Sequence, residues 1–209
     1  MRIRPDVVIF TVLVLGAAFA VWTQLEPRPA VTAIPKIGTQ VADFTLRDIG
    51  NRERKLSELA AGKKATVLYF WSVDCPCVDA LEVRLKKVIE KYEPLGVEFV
   101  GVDSHPDDTR EQVLDKMGRI RATGYRMLLD PTQDVAKLAG VRTATELVVL
   151  DPDRRIRYRG SFDDDFIKPK VEYLGPAIEA VLAGRSPTVP ESKPYGCPFP
   201  GFEGLCDFD

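Results

Sequence analysis

The chain reads Ala65-Thr66-Val67-Leu68-Tyr69-Phe70-Trp71 and continues as Ser72-Val73-Asp74-Cys75-Pro76-Cys77. The first part is a continuous apolar run, which is typical of a strand buried on both faces of a sheet. From Val78 to about Glu93, apolar residues recur every three or four positions, which predicts an amphipathic helix. Cys75 therefore stands where a strand passes into a helix, and the helix dipole there favours a thiolate. The pattern predicts an exposed thiol that exchanges bonds with other sulfur atoms.

The rest of the chain alternates predicted strands and helices. Further strands are predicted at residues 44–46, 97–102, 125–129, 146–150 and 155–160. One helical turn is predicted at 56–59, and helices are predicted at 108–122, 133–139 and 171–183. This order indicates an α/β domain over residues 37–185, with a mixed central sheet whose first strands are parallel and with helices on both faces.

The N-terminus combines a basic flank with an apolar run. After Met1-Arg2-Ile3-Arg4-Pro5-Asp6, no charged residue occurs before Glu26. This predicts a signal anchor or transmembrane helix over residues 1–22 and a proline-containing linker over residues 23–36. Cleavage after Ala20 is the alternative, and it would give a secreted protein. In the first case the domain is anchored to the membrane on its periplasmic side.

Residues 186–209 form a proline-rich tail for which no regular structure is predicted. The tail carries Cys197 and Cys206, so an exported chain with four cysteines has three ways to form two disulfides. Residues two apart on a helix point roughly 200° away from each other, so a bridge between Cys75 and Cys77 would be strained and labile. Three interpretations stay open: a redox-active C-x-C pair, resolution by Cys197, and a structural Cys197–Cys206 disulfide.

Composition narrows the choice of partners. The formal net charge is −2, so the chain has no basic field that would hold nucleic acid. No cofactor motif is present, and the single histidine, His105, fits a turn before a helix better than a metal site. The alternative metal hypothesis is a Cu(I) ion held by Cys75, Cys77 and His105, because thiolates select soft ions.

Several segments, in this order, resemble the redoxin branch of the thioredoxin-like superfamily, which includes the alkyl hydroperoxide reductase and thiol-specific antioxidant (AhpC/TSA) proteins. They are Ile37-Gly38, Asp43-Phe44-Thr45-Leu46, residues 68–76, Gly101-Val102-Asp103-Ser104, residues 145–151, residues 158–164 and residues 190–197. The resemblance implies a thioredoxin-like fold with Cys75 and Cys77 as catalytic residues. It also implies that the active-site neighbours are Trp71, Ser72, Asp74, Pro76 and Thr145.

The chain departs from the patterns of these families at defined positions. Thioredoxin-like reductases have C-x-x-C, whereas here the second cysteine comes one residue early, at Cys77. Thr145 stands where such proteins usually hold a cis-proline. Peroxiredoxins have a proline where this chain has Leu68 and an arginine that is missing immediately before Leu147. The peroxide site of that family is therefore incomplete.

These observations favour a membrane-anchored, extracytoplasmic thiol-disulfide oxidoreductase that acts on protein thiols or disulfides through Cys75, with Cys77 or Cys197 as the second thiol. The first alternative is a peroxiredoxin-like peroxide reductase. The others are a Cu(I) carrier and a non-catalytic accessory subunit of a membrane redox complex.

Overall fold

A computed structural model describes residues 34–202. The strands are β1 (Thr45–Asp48), β2 (Glu53–Lys55), β3 (Ala65–Trp71), β4 (Val97–Asp103), β5 (Arg126–Leu129), β6 (Leu147–Leu150) and β7 (Ile156–Gly160). The helices are α1 (Leu56–Leu59), α2 (Pro76–Tyr92), α3 (Arg110–Ile120), α4 (Asp134–Ala139) and α5 (Leu174–Leu182), and a 3-10 turn covers Glu93–Leu95.

The strands form one mixed sheet in the order β2-β1-β5-β4-β3-β6-β7. β3 pairs in parallel with β4, and β4 pairs in parallel with β5, while the remaining pairs are antiparallel. All seven residues of β3 are buried, so both faces of the sheet are covered there. The predicted mixed α/β sheet is confirmed, but the prediction that its first strands are parallel was wrong for β1 and β2: the parallel strands are β3, β4 and β5.

The apolar stripe of α2 explains why this helix packs on the sheet. Its buried apolar residues are Val78, Leu81, Leu85, Val88, Ile89 and Tyr92. Their spacing places them on one face of a helix, as the sequence predicted. Pro76 occupies the first turn, where the missing amide hydrogen costs nothing because it would have no partner within the helix.

Strand β2 was not predicted. It is three residues long and entirely charged, and its pairing depends on Asp48 at the end of β1 rather than on apolar alternation. The Asp48 carboxylate accepts hydrogen bonds from the backbone of Arg52 (2.9 Å) and from the side chain of Arg54 (2.7 Å). The hairpin is therefore stabilised by a buried acid that the sequence pattern did not single out.

The described part of the tail has no helix or strand, but it is fastened to the domain. The buried Arg159 guanidinium donates to the carbonyls of Pro35 (2.8 Å) and Ala139 (3.3 Å) and pairs with Glu191. Phe199 is fully buried, and its backbone N–H donates to the carbonyl of Arg142 (2.9 Å). Residue Arg159 thus joins the start of the domain, the end of α4 and the tail.

Three predictions lie wholly or largely outside the described residues. The signal anchor over residues 1–22 and most of the linker precede them, and Cys206 follows them. Between residues 34 and 202, no helix has the length and apolar character needed to cross a membrane.

Candidate active site

Four residues connect β3 to α2, and the last three of them, Val73, Asp74 and Cys75, are called here the thiol turn. Cys75 is the residue that precedes the helix, and its backbone is extended (φ −79°, ψ 115°). Asp108 fixes the start of the turn, because its carboxylate accepts a 2.6 Å hydrogen bond from the Val73 N–H. Cys75 therefore lies at the N-terminus of a 17-residue helix, as predicted.

The prediction of an exposed Cys75 was wrong. Its relative exposure is 1%, and it packs within the hydrophobic core, with the partly buried Cys77 and Cys197 against that core. The sequence pattern could not show this, because the element that approaches Cys75 comes from the tail, more than one hundred residues later. Cys75 is nevertheless close to two other thiols.

Cys77 lies in the first turn of α2. Its pKa rises to about 11 because it is partly buried and because of the neighbouring charge of Cys75 and a hydrogen bond with the Cys75 thiol. The two sulfur atoms approach each other because Cys75 is outside the helix, in extended backbone. The angle expected for two helical residues therefore does not apply to this pair.

Cys197 is brought to Cys75 by the loop that precedes β6. The N–H of Ala144 donates to the carbonyl of Cys197 (2.9 Å), and the Thr145 hydroxyl donates to the carbonyl of Tyr195 (2.7 Å). Between them, Gly196 has φ +126°, and a Cβ there would lie 2.1 Å from the Ala144 carbonyl oxygen. Only a glycine allows the tail to come this close.

The environment of the Cys197 thiol confirms the proximity of the three sulfur atoms. Its pKa is raised to about 12, first by burial and then by a hydrogen bond with Cys75 and the charges of Cys75 and Cys77. Cys75, Cys77 and Cys197 are all free thiols in the described chain. We call these three residues the thiol cluster.

The other predicted neighbours of Cys75 have different surroundings. Trp71 and Ser72 are buried, whereas Asp74 is exposed and is not the residue that caps α2. Thr145 is fully buried, with φ +73°, an uncommon conformation for a β-branched residue. Its N–H donates to the carbonyl of Phe70 (2.8 Å), so the loop before β6 is tied to β3 beside the thiol turn.

Sequence reasoning missed Lys116. Its Nζ donates to the carbonyls of Val73 (2.6 Å) and Cys75 (2.8 Å) and pairs with Asp79 Oδ1 (2.9 Å). Lys116 follows the buried Val113 by three positions on α3, so its place on the buried face was a usable signal.

The sequence analysis also did not identify two buried acids near the junction. Burial, together with the charge of Asp108, raises the pKa of Asp103, at the end of β4, to about 9. Burial likewise raises the pKa of Glu82, on α2, to about 7, although Tyr125 donates a 3.1 Å hydrogen bond to its carboxylate. Both side chains therefore hold a proton at higher pH than an exposed acid does.

The geometry gives no support to the copper hypothesis. His105 Nδ1 lies 3.5 Å from the Asp108 carboxylate and accepts a hydrogen bond from the Asp107 N–H. Throughout residues 34–202, no group of three or more histidine, cysteine, aspartate or glutamate side chains is arranged to hold a metal ion.

Comparison with solved structures shows that the chain has a thioredoxin-like fold. A hypothetical protein from Sinorhizobium meliloti 1021 is 30% identical, with a TM-score of 0.68 over 79% of this chain and 94% of that one. An uncharacterized conserved protein from Geobacillus kaustophilus is 26% identical, with a TM-score of 0.70 over 80% and 93%. The thioredoxin domain of a thiol-disulfide oxidoreductase from Bacteroides vulgatus shares the fold at 18% identity, with a TM-score of 0.52 over 58% and 86%.

Among curated proteins, none shows significant similarity to this chain. The sequence profile of the AhpC/TSA family matches residues 37–159, which is more than half of the chain. This range contains the thiol turn, α2 and the sheet up to β7. The chain therefore belongs to the AhpC/TSA family, in the redoxin branch of the thioredoxin-like superfamily, and is a thioredoxin-like oxidoreductase or antioxidant.

Proposed function

We propose that the protein is a membrane-anchored, extracytoplasmic thiol-disulfide oxidoreductase in which Cys75 attacks the substrate and Cys197 is the second thiol. The thiol cluster is the observation that carries this proposal. Cys75 lies at the positive end of α2, and the Cys197 thiol is hydrogen-bonded to it. The apolar segment before residue 23 supports attachment to the membrane.

The reaction has two exchange steps. In the first, the Cys75 thiolate attacks a substrate disulfide, forms a mixed disulfide and releases one substrate sulfur as a thiolate. In the second, the Cys197 thiolate attacks the Cys75 sulfur and releases the other substrate thiol. The substrate is reduced by two electrons and a Cys75–Cys197 disulfide remains, which an external protein dithiol must reduce before the next cycle.

Cys197 suits the second step better than Cys77 does. A disulfide between Cys75 and Cys77 would close a very small ring and distort the first turn of α2. Cys197 instead belongs to a segment without regular structure, which can adjust its position as the bond forms. The hydrogen bond from Ala144 to its carbonyl already holds it beside Cys75.

The burial of Cys75 adds one requirement. A substrate disulfide cannot reach a sulfur atom that is 1% exposed, so part of the tail must move away before the first step. Around Cys197 the tail is held by the hydrogen bonds from Ala144 and Thr145, by hydrogen bonds of Tyr195 to Ser161 and Asp163, and by the buried Phe199. Opening must break contacts of this kind, while the hydrogen bonds of the sheet stay in place. Exchange is therefore expected to start from an opened tail.

The proposal is tested with full-length protein in detergent, by reduction of insulin and by trapping of mixed disulfides. Cys75→Ser is expected to abolish both. Cys197→Ser is expected to accumulate the mixed disulfide at Cys75 and to stop turnover, whereas Cys77→Ser retains most of the turnover. If Cys75→Ser left insulin reduction and trapping unchanged, the proposed mechanism would be wrong.

Location is tested separately in intact cells that express the full chain. A membrane-impermeant thiol reagent is expected to label the cysteines of the domain without cell lysis. Labelling only after lysis would contradict the periplasmic placement.

Membership in the AhpC/TSA family favours a second candidate, reduction of a peroxide. The Cys75 thiolate would attack the terminal peroxide oxygen and release an alcohol, leaving a sulfenic acid. The Cys197 thiol would then condense with it to a disulfide and release water. Rapid, peroxide-dependent oxidation of Cys75 seen by mass spectrometry, without insulin reduction, would favour this reaction over disulfide exchange.

A further inference from the structure

A lysine from a helix on the other side of the junction is buried against the thiol turn. The side chain of Lys116, on α3, is 3% exposed, although lysine is among the residues that are almost never buried without a partner. Its neighbours along α3 are largely exposed, and Val113 is the other residue of the helix that is buried. Lys116 is thus the charged group that α3 directs into the interior.

Every hydrogen of the Lys116 ammonium group has an acceptor. Two of the acceptors are the carbonyl oxygens of Val73 and Cys75, which are both in the thiol turn, at 2.6 and 2.8 Å. The third is Asp79 Oδ1, in the first turn of α2, at 2.9 Å. Since an ammonium group has three donors, this set is complete, and it joins α3 to both sides of Cys75.

The positive charge of Lys116 is only partly neutralised. Asp79, its ion-pair partner, has a side chain that is 48% exposed and therefore shared with solvent, and the two carbonyls carry no net charge. The ammonium also lies 5.4 Å from the centre of the buried Trp71 ring. The Lys116 charge therefore still acts on the thiol cluster, where it lowers the pKa of Cys77 and of Cys197 against the larger effect of burial, which raises both.

We propose that Lys116 is a positioning residue of the thiol site: it holds the thiol turn in its extended form and supplies the positive charge that favours an ionised sulfur atom. This proposal rests on the function proposed above. It goes further, because it assigns the stabilisation of the reactive thiolate to a side chain outside the cysteine motif, which sequence reasoning had not selected. An apolar residue of the same length would fill the space, but it would take the lysine donor away from the Val73 carbonyl and leave the Cys75 carbonyl with the longer 3.3 Å bond from the Val78 N–H.

Apart from His105, whose Nδ1 lies 3.5 Å from the Asp108 carboxylate, the titratable groups that face the same region from the packed elements are acids and phenols. They are Asp79 and Glu82 on α2, Tyr69 on β3, Asp108 in the loop after β4, and Tyr195 in the tail. All of these become negative or stay neutral as the pH rises, so they oppose thiolate formation. When Lys116 is removed, none of these groups can therefore replace its charge.

The test compares two variants that are expected to shift the pH midpoint of thiolate formation in opposite directions. Lys116→Met removes the charge, and it is expected to raise the midpoint of thiolate formation by about one pH unit, and to slow alkylation at neutral pH about tenfold. Asp79→Asn removes the counter-charge and keeps the lysine, so the midpoint is expected to fall. The midpoint is measured by ultraviolet absorbance of the thiolate in the reduced full-length protein.

The control is Arg119→Met, which removes an exposed cation of α3 that pairs with Asp115. Arg119→Met is expected to leave the pH midpoint of thiolate formation unchanged. Lys116→Arg, which keeps the positive charge, is expected to have a midpoint close to that of the wild type. A midpoint that does not move in a folded Lys116→Met protein would overturn the proposal. So would a shift in the same direction in both test variants, because that would reveal a purely structural role.

If Lys116→Met does not fold, the sign of the shift in Asp79→Asn decides: a fall supports the proposal, and no change or a rise overturns it. Thiolate absorbance does not depend on catalysis, so the two proposals fail separately. A wild-type protein that does not exchange disulfides contradicts the proposed function, while the titration of its thiols still tests the role of Lys116.

Discussion

Gly196 shows how a single position can control access to the reactive sulfur. The residue has φ +126°, and a Cβ would lie 2.1 Å from the Ala144 carbonyl oxygen and 2.6 Å from Thr145 Oγ1. The tail can therefore lie against the loop before β6 only without a side chain at this position. Because Cys197 follows Gly196 directly, the same contact sets the distance between Cys197 and Cys75.

We expect Gly196→Ala to displace the tail around Cys197 and to uncover Cys75. Alkylation of Cys75 should become faster, the yield of the Cys75–Cys197 disulfide should fall, and stability should drop by about 1–3 kcal/mol. Peptide mapping after timed alkylation, together with thermal unfolding, checks this. The control is Gly201→Ala, since Gly201 also has a positive φ (+88°) but a Cβ there would meet no neighbouring atom within 4 Å. Equal labelling of Cys75 in the two variants would contradict the role of Gly196.

Glu82 predicts a pH dependence of stability. Burial raises its pKa to about 7 in the folded protein, above the ordinary value of 4.5. The folded protein therefore keeps a proton that the unfolded chain has already lost. This contribution to stability is fully present below about pH 4.5 and is lost as the pH rises through about 7.

Relative to Glu82→Gln, the wild-type protein should lose on the order of 3 kcal/mol of unfolding free energy between these two pH values. Urea unfolding at a series of pH values measures the difference between the two proteins. Glu90→Gln, which changes an exposed glutamate of the same helix, should follow the wild-type curve. Parallel curves for wild type and Glu82→Gln would show that burial does not shift this carboxyl group as stated.

Helix α2 connects the thiol turn to the core, and its two faces should respond differently to truncation. Leu85 is 1% exposed on the buried face, whereas Val83 is 66% exposed on the outer face. We expect Leu85→Ala to lower the free energy of unfolding by about 2–5 kcal/mol, because it removes core contacts and leaves a cavity. Val83→Ala should stay within about 0.5 kcal/mol of wild type. Denaturant unfolding distinguishes the two, and similar losses would mean that α2 is packed differently.

The secondary structure was largely predictable wherever the apolar pattern was strong. Strand β3 has the predicted bounds, and α2 begins two residues before Val78, because Pro76 can occupy the first turn of a helix. Strand β2 was missed because its three residues are charged and its pairing depends on the buried Asp48. Sequence periodicity reports which face of an element is apolar, and it carries no signal for a hairpin that is stabilised by polar contacts.

In the whole molecule, the tail and the β3–α2 junction together supply the thiol cluster. Oxidation of Cys75 and Cys197 to a disulfide should therefore raise the free energy of unfolding. A Cys75–Cys197 disulfide would close most of the domain into a loop, which typically adds about 2–4 kcal/mol. Unfolding of the oxidised protein with and without reductant measures this gain. Cys77→Ser should keep the response to reductant and Cys197→Ser should lose it. The reverse result would assign the disulfide to Cys75 and Cys77.

The sequence alone determined the family, the mixed α/β sheet and the position of Cys75 at the start of a helix, because local apolar patterns and adjacent motif residues carry that information. Only the tertiary structure decided that Cys75 is buried, that Cys197 is its neighbour and that Lys116 supports the thiol turn. These contacts join residues that are tens to more than one hundred positions apart. Their geometry depends on how the tail, α3 and the sheet pack together, and no local pattern encodes that packing.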